Sequence, residues 1–469
     1  MTLASVALLA GGCRSYESRP LDARAIRDDW LARQPADETA RALADRLAAR
    51  EGDTASPIFD PADGLTLAEG EPVALVFNRE LRLARLEADV ATAVAEYAGR
   101  WEDPALGVDI ERIVSGVAEP WVVAGTVGLT IPISGRLSVE KDQAFVKRDA
   151  SLRRVAAEEW ATRAALRALW IEWSAQALRA RLAAEYAEQV RTVDDLALRQ
   201  EQAGLLSRIE SRLFRVERAE ADVERIQAAA HARELELQLR DVLGLAPNAP
   251  VELVETVMFE SRWSISDWTL DAATTHNTEL AVARAEYEVA EQSLRLQVRK
   301  QYPDLTIGPG YGSDQGDERV LLAVRLPIPL WNGNRQAIAE AEAEREAARA
   351  RYTNAYERLG SRLALARSRY DAARATRESI ETDVLPLADE QDAEVRNVAE
   401  LGRVDPLLLL QTMKSRHDAK LRLVSARAAE STGAIRLDEL IGPPSPLVVP
   451  THPDPPTTES SSDAAGGRP

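Results

Sequence analysis

Leu129-Thr130-Ile131-Pro132-Ile133 returns later in the chain as Leu326-Pro327-Ile328-Pro329-Leu330. Other landmarks keep step with it. Asn78-Arg79-Glu80-Leu81 is echoed by Asn277-Thr278-Glu279-Leu280, Pro104-Ala105-Leu106 by Pro303-Asp304-Leu305, Gly204 by Gly402 and Gly244 by Gly442. Every offset lies between 197 and 199 residues, and the order is kept. A fixed long period is the signature of a repeated structural unit. The chain is therefore read as two copies of one unit, 67–247 and 270–443, joined by a connecting segment at 248–269. A helical segment at 14–66 precedes them. A tail at 444–469, rich in Pro, Ser, Thr and Gly, follows them and reads as disordered.

Each copy has the same layout. A helix comes first, at about 67–99 and 270–301. Two short strands follow, then a very long charged helix at about 137–202 and 335–401. A glycine turn and a shorter helix close the copy, at about 207–243 and 405–440. Between Leu137 and Gln202 there is neither Gly nor Pro. Leu152, Val155, Trp160, Leu166, Leu169, Trp170 and Trp173 recur there at helical spacing, with Arg and Glu on the other faces. A helix of that length spans roughly 100 Å, too long for one compact core, so it must lie along other rods. The two shorter helices of a copy, stacked end to end, match that length. Pro386 should kink or interrupt the second long helix.

The strands alternate. Leu106, Val108 and Ile110 alternate with Gly107, Asp109 and Glu111, and Val320, Leu322 and Val324 with Leu321, Ala323 and Arg325. Period two with one apolar face marks a strand. With no globular core for the strands to cover, the apolar face implies a partner or lipid. Strands of about 9–11 residues can cross a bilayer in a tilted barrel. Four strands cannot close a barrel, and open edges are not tolerated in lipid. Several copies must contribute, and three copies with twelve strands keep a water-filled lumen. Gly308-Pro309-Gly310-Tyr311-Gly312 superficially imitates a phosphate loop, but no helix follows it. It is read as a strand end with a surface turn.

Composition excludes several classes. The chain has 469 residues, 58 Lys+Arg against 76 Asp+Glu and a net charge of −18. That balance disfavours nucleic acid as a partner. A single cysteine among 469 residues rules out an intrachain disulfide framework, and with only 4 histidines nothing calls for a metal site or a cofactor. No catalytic constellation stands out, so the chain is not read as an enzyme. The opening run Leu3–Leu9, then Ala10-Gly11-Gly12-Cys13, resembles a bacterial lipoprotein signal covering 1–13, with Cys13 the acylated first residue of the mature chain.

Two further segments carry a family likeness. One is Arg325-Leu326-Pro327-Ile328-Pro329-Leu330-Trp331-Asn332-Gly333-Asn334-Arg335, running on into Gln336-Ala337-Ile338-Ala339-Glu340-Ala341. The other is Leu385-Pro386 followed by Leu401-Gly402-Arg403-Val404-Asp405-Pro406-Leu407-Leu408 and Gln411. Inside a duplicated helix-strand-strand-helix unit, these resemble the strand-to-helix junction and the helical tip of the TolC-type outer-membrane efflux family. They are nearest to its heavy-metal-efflux and lipidated RND-system branches. The resemblance implies a mainly α fold with a small β part. Duplicated helical hairpins would form a periplasmic α-barrel, and four strands per chain would join a trimeric, twelve-stranded transmembrane β-barrel. It also implies a passive exit duct in the outer membrane, extending into the periplasm and fed by an inner-membrane RND-type pump through a periplasmic adapter protein. The turns at Gly204, Leu205 and Ser207 and at Gly402, Arg403 and Val404 would meet the adapter. Glu210 and Asp405 would be gate or selectivity carboxylates. The rival is a soluble periplasmic coiled-coil adapter or scaffold, which usually has one hairpin and small β domains.

Overall fold

A computed structural model of the chain describes residues 16–51, 59–61, 63–116, 120–314, 316–400 and 405–444. In chain order its elements begin with α1 (Ala23–Ala32), α2 (Glu38–Glu51), α3 (Leu67–Phe77) and α4 (Arg79–Tyr97). The first unit continues with β1 (Ala105–Arg112), β2 (Trp121–Ile131), α5 (Arg136–Gln202) and α6 (Arg208–Val242). The second unit has α7 (Leu270–His276), α8 (Thr278–Arg299), β3 (Leu305–Asp314), β4 (Asp317–Arg325), α9 (Arg335–Ser379), α10 (Leu385–Glu400) and α11 (Pro406–Ile441). Residues 1–13, with the proposed lipid cysteine Cys13, lie outside the described residues, as do Gly402, Arg403 and Val404.

The first hairpin is α5, 67 residues long, folded back on α6. It turns at Gly204, in the left-handed region at φ +74°. There the Leu205 amide donates to the Gln200 carbonyl and the Gly204 amide to Glu201, which satisfies carbonyls that the helix end leaves free. The same closure recurs at the far end of α6, where Leu245 donates to Arg240 and Gly244 to Asp241.

Each expected first helix is broken once. Asn78 separates α3 from α4, and Asn277 separates α7 from α8. Both side chains do two jobs. Asn78 Oδ1 accepts the amides of Glu80 and Leu81, capping α4, while Nδ2 donates 3.2 Å to the Val242 carbonyl at the end of α6. Asn277 Oδ1 accepts Leu280 N at 2.7 Å, and its Nδ2 donates 2.7 Å to the Leu440 carbonyl at the end of α11. The start of α4 thus abuts the end of α6, and the start of α8 the end of α11. Donor-rich helix starts meet acceptor-rich helix ends, an arrangement the helix dipoles favour. Both half-rods pack along α5 or α9. Backbone approach at the joints is close. A Cβ on Gly244 would lie 2.2 Å from the Phe77 carbonyl oxygen, and one on Gly442 2.1 Å from that of His276.

Pro386 leaves its expected mark. The turn Ile380–Val384 before it is a π-helix between α9 and α10. A proline has no amide to donate and its ring crowds the carbonyl four residues back, and one wider turn relieves both.

The strands form one antiparallel sheet in the order β1-β2-β3-β4. Here one expectation fails: Gly308–Gly312 is not a turn but the middle of β3. Its glycines permit close strand contact, since a Cβ on Gly310 would meet the Gly125 carbonyl at 2.8 Å and one on Gly312 the Val123 carbonyl at 2.7 Å. Pro309, which has no amide, sits where the β2–β3 pairing skips two steps between Thr126↔Gly310 and Leu129↔Ile307.

The rods also bury more than a shared seam. Around Trp170, Leu166, Leu239 and Leu243 of α5 and α6, residues of α2, α3 and the 245–253 segment build one core. A matching core gathers Trp268, Leu363, Tyr370 and Leu437 in the second unit. Between them Arg167, 4 % exposed, donates through Nε to Glu71 at 2.5 Å, with Arg163 3.6 Å away. The guanidinium of Arg167 lies over the Trp160 and Phe259 rings. Burial opposes ionisation of Glu71, but the charges of Arg167 and Arg163 outweigh it and hold the carboxyl below its usual range.

Gly244→Ala and Gly442→Ala should each destabilise the fold by roughly 2 kcal/mol or more, because the methyl meets backbone at a helix joint and the φ is positive. Gly360→Ala, inside α9 with room for a methyl, should instead stabilise by about 0.5–1 kcal/mol. Thermal unfolding of the three variants checks the opposite signs.

Candidate functional site

Two regions stand at opposite ends of the rods. At one end is the sheet. The register places Leu106, Val108 and Ile110 beside Val127, Gly125 and Val123. On the same face follow Ile307, Pro309 and Tyr311, paired with Val324, Leu322 and Val320. This face is apolar across all four strands, and nothing among the described residues covers it: Leu106 is 77 %, Leu322 69 % and Val320 86 % exposed. Trp121 and Tyr311 stand towards its loop end, and Trp101, Tyr302 and Trp331 flank its helical end, all exposed. The opposite face carries Gly107, Asp109, Glu111, Thr126, Gly310, Gly312, Arg319 and Arg325. The sheet therefore has a lipid-like side and a small, polar side. Its outer edges, on β1 and β4, have no strand partner among the described residues.

At the other end are the hairpin tips. Gly204 makes the turn and Leu205 is exposed. Ser207 caps α6: its Oγ accepts Glu210 N at 3.2 Å while Ser207 N donates to Glu210 Oε2 at 2.8 Å. Hydrogen bonding of its carboxylate by the Ser207 hydroxyl and the Ser207 amide lowers the Glu210 pKa. Asp405 caps α11, accepting Leu407 N at 2.9 Å, and Pro406 occupies the first helical turn where no amide is needed. Both proposed gate carboxylates thus hold helix starts near the tip. Exposed Leu205, Ile209, Leu407 and Leu408 make the tip surface apolar.

The two hairpins are tied together short of the tips. Tyr186 Oη of α5 donates to Glu217 Oε1 at 2.7 Å, and Lys414 Nζ of α11 donates to the same oxygen at 2.8 Å. The Tyr186 ring stacks on the buried His417 ring at 4.4 Å, and His417 Nε2 is 3.3 Å from Glu224. Below lies a small apolar core of Val190, Phe214, Leu410 and Met413. Burial would raise the Glu217 pKa, but the bonds from Lys414 and Tyr186 outweigh it and lower it. The same contacts raise Lys414, led by the Glu217 bond, and burial with Glu217 pushes the Tyr186 hydroxyl far up, so it stays a donor. The sequence gives no notice of this joint. Glu217 and Lys414 sit in different copies, and only the packing of α11 beside α5 brings them together.

The comparisons fit this geometry. Residues 269–443 match the family model described as outer membrane efflux protein. The cobalt-zinc-cadmium resistance protein CzcC of Cupriavidus metallidurans is 23 % identical over 270 residues, 56 % of this chain. That alignment spans 63 % of the relative, less than two thirds of its length. Among solved structures, the outer-membrane channel OprN superposes with a TM-score of 0.69 at 15 % identity, over 88 % of this chain and 95 % of that one. The outer membrane protein VceC of Vibrio cholerae gives 0.67 at 16 %, over 80 % and 96 %. The MtrE outer membrane channel of Neisseria gonorrhoeae, in its open state, gives 0.63 at 17 %, over 83 % and 94 %.

The Glu217–Lys414 pair is half-exposed on the lysine side, so its coupling should be modest. A double-mutant cycle with Glu217→Gln and Lys414→Met should give about 0.5–1 kcal/mol after solvent screening. Because the Glu217 pKa is lowered on folding, that stabilisation is complete above the ordinary carboxylate range and fades as pH falls through the lowered value. Unfolding measured from pH 7 downwards should show the coupling vanish in acid.

Proposed function

We propose that this chain, a member of the TolC-type outer-membrane efflux proteins, is the exit duct of a tripartite efflux system. It would carry cargo passively from an adapter-bound inner-membrane RND-type pump across the periplasm and outer membrane. The observation that carries the proposal is the uncovered apolar sheet face with both strand edges open. In water such a face and such edges invite aggregation. In a bilayer they are an incomplete barrel wall, and unpaired backbone there must be satisfied by another strand. Three copies, joined β4 to β1, supply twelve strands with the small polar face turned inward and aromatic residues near both membrane interfaces.

The helices support the same closure. Laterally, α4 and α6 pack on α5, and α9 packs on α8 and α11. The layer therefore ends in two open flanks. On one, α4 and α6 expose Leu83, Leu86, Val90 and Val94, then Val216 and Val223. On the other, α9 and the turn and helix after it expose Tyr356, Val384 and Leu387. A second copy covers one flank and a third the other, closing a tunnel of rods. Cys13 would add an acyl anchor in the same membrane. The tips at Gly204, Leu205 and Ser207, and at Gly402, Arg403 and Val404, would receive the adapter, the apolar surface there supplying its docking area. Opening then means parting α11 from α5 at the Tyr186–Glu217–Lys414 joint, with Glu210 and Asp405 setting the field at the mouth. The kinship with CzcC makes a heavy-metal RND system the first pump and adapter to test. A soluble scaffold has no use for the bare sheet face.

The membrane assignment is tested on two neighbouring residues. Leu322→Arg, on the apolar face, should cost about 2–4 kcal/mol of insertion and remove the heat-modifiable trimer from the outer-membrane fraction. Ala323→Arg, on the polar face, should leave both intact. Recovery of the unaltered protein as a soluble periplasmic monomer would refute the duct. In planar bilayers Lys414→Met should raise the open fraction severalfold, roughly the Boltzmann factor of a 0.5–1 kcal/mol contact. Glu210→Ala with Asp405→Ala should lower cation preference while leaving the folded trimer unchanged.

A further inference from the structure

Midway along the rods, three helix stripes converge on an open groove of about 750 Å³. Its floor is small, with Thr432 and Gly433 of α11, and its walls carry Arg179 of α5, Arg362 and Arg369 of α9, and Arg436. Glu172 is the acid among its lining residues. Three of the arginines are held by neighbours: Arg179 donates to Ser425 Oγ at 2.8 Å, Arg362 to Glu279 at 3.1 Å, and Arg436 to Glu439. Arg369 is exposed and has no hydrogen bond or ion pair among the described residues.

The groove lies on the side of the helical layer away from the connecting strap. That strap grips α5 through Trp170, Ser174 and Arg181, and α11 through Ser431 and Asp438. At about 100° per residue, these positions point nearly opposite to Glu172 and Arg179 on α5 and to Arg436 on α11, with Thr432 roughly a third of a turn away. The strap side also carries α2 and α3. A tunnel with all of that inside would be filled, so the groove belongs to the inner wall.

We propose that this groove forms an anion-attracting band inside the duct, a binding site for multiply charged organic carboxylates. The inference rests on the duct function proposed above. Each copy contributes guanidinium groups with fixed, forked donor geometry suited to carboxylate, set over a floor without bulky side chains. Three copies repeat the set around one axis, in a water-filled space of limited width where like charges reinforce one another. The band carries charge opposite to the chain's net −18, so it draws anions that the chain as a whole repels. Singly charged anions gain less, since each carries one carboxylate where a polycarboxylate presents several to the repeated guanidinium groups.

The test uses full-length trimer in planar bilayers at roughly 0.1 M salt, where screening still lets such charges act, with citrate as the probe and acetate as the singly charged control. Citrate should block the ion current of the unaltered channel, and acetate should not. Arg369→Gln combined with Arg179→Gln, both outside the cores, should raise the half-blocking citrate concentration roughly tenfold. Glu172→Gln should shift it the other way. A conducting channel whose citrate block is the same in all three proteins overturns the anion site and leaves the duct standing. A trimer that never conducts overturns the duct and the site together.

Discussion

A helix end that meets another helix end must find partners for its free backbone groups, and two asparagines solve that problem for the whole molecule. Asn78 and Asn277 each cap the helix they begin and donate to a carbonyl of the helix they abut. Gly244 and Gly442 complete the joints by leaving room for a carbonyl where any other residue would place a Cβ. Because of these joints, two short helices act as one rod running along α5 or α9. Without them the sheet at one end and the tips at the other would hang on separate levers. The buried Glu71–Arg167–Arg163 cluster sits beside the first joint and adds a charge network that is costly to break from one side.

The molecule divides its two walls by chemistry. One wall carries the strap, the N-terminal helices and both tryptophan-centred cores. The other keeps small residues and charged side chains with solvent space above them. The sheet repeats the division, apolar on one face, glycine and polar residues on the other. A single layer with two unlike walls and two open flanks leaves room for neighbours, and under the proposed function the sheet and the rods each call for further copies of the chain.

Much of this was legible in the sequence. Repeat offsets gave the duplication, an unbroken helical stripe gave α5, Pro386 gave the interruption between α9 and α10, and alternation gave the strands with their apolar face. Two things misled. The Gly308–Gly312 run looks like a turn because glycine and proline usually break strands, yet here the glycines admit close strand contact. The reading that a rod so long lies only along other rods missed the cores built with α2, α3 and the connecting segment, because those contacts are distant in sequence.

The amino-acid order by itself determined where helices and strands form, their order in two like units and the apolar side of each strand, since periodicity, caps and turns act over a few residues. It even marked Asn78, Asn277, Gly244 and Gly442 as special, without saying why. Only the tertiary structure decided that these four meet in pairs, that Lys414 reaches Glu217, and that four arginines from three helices share one groove. Those facts depend on which helix faces lie together, and that is settled by packing between residues hundreds of positions apart.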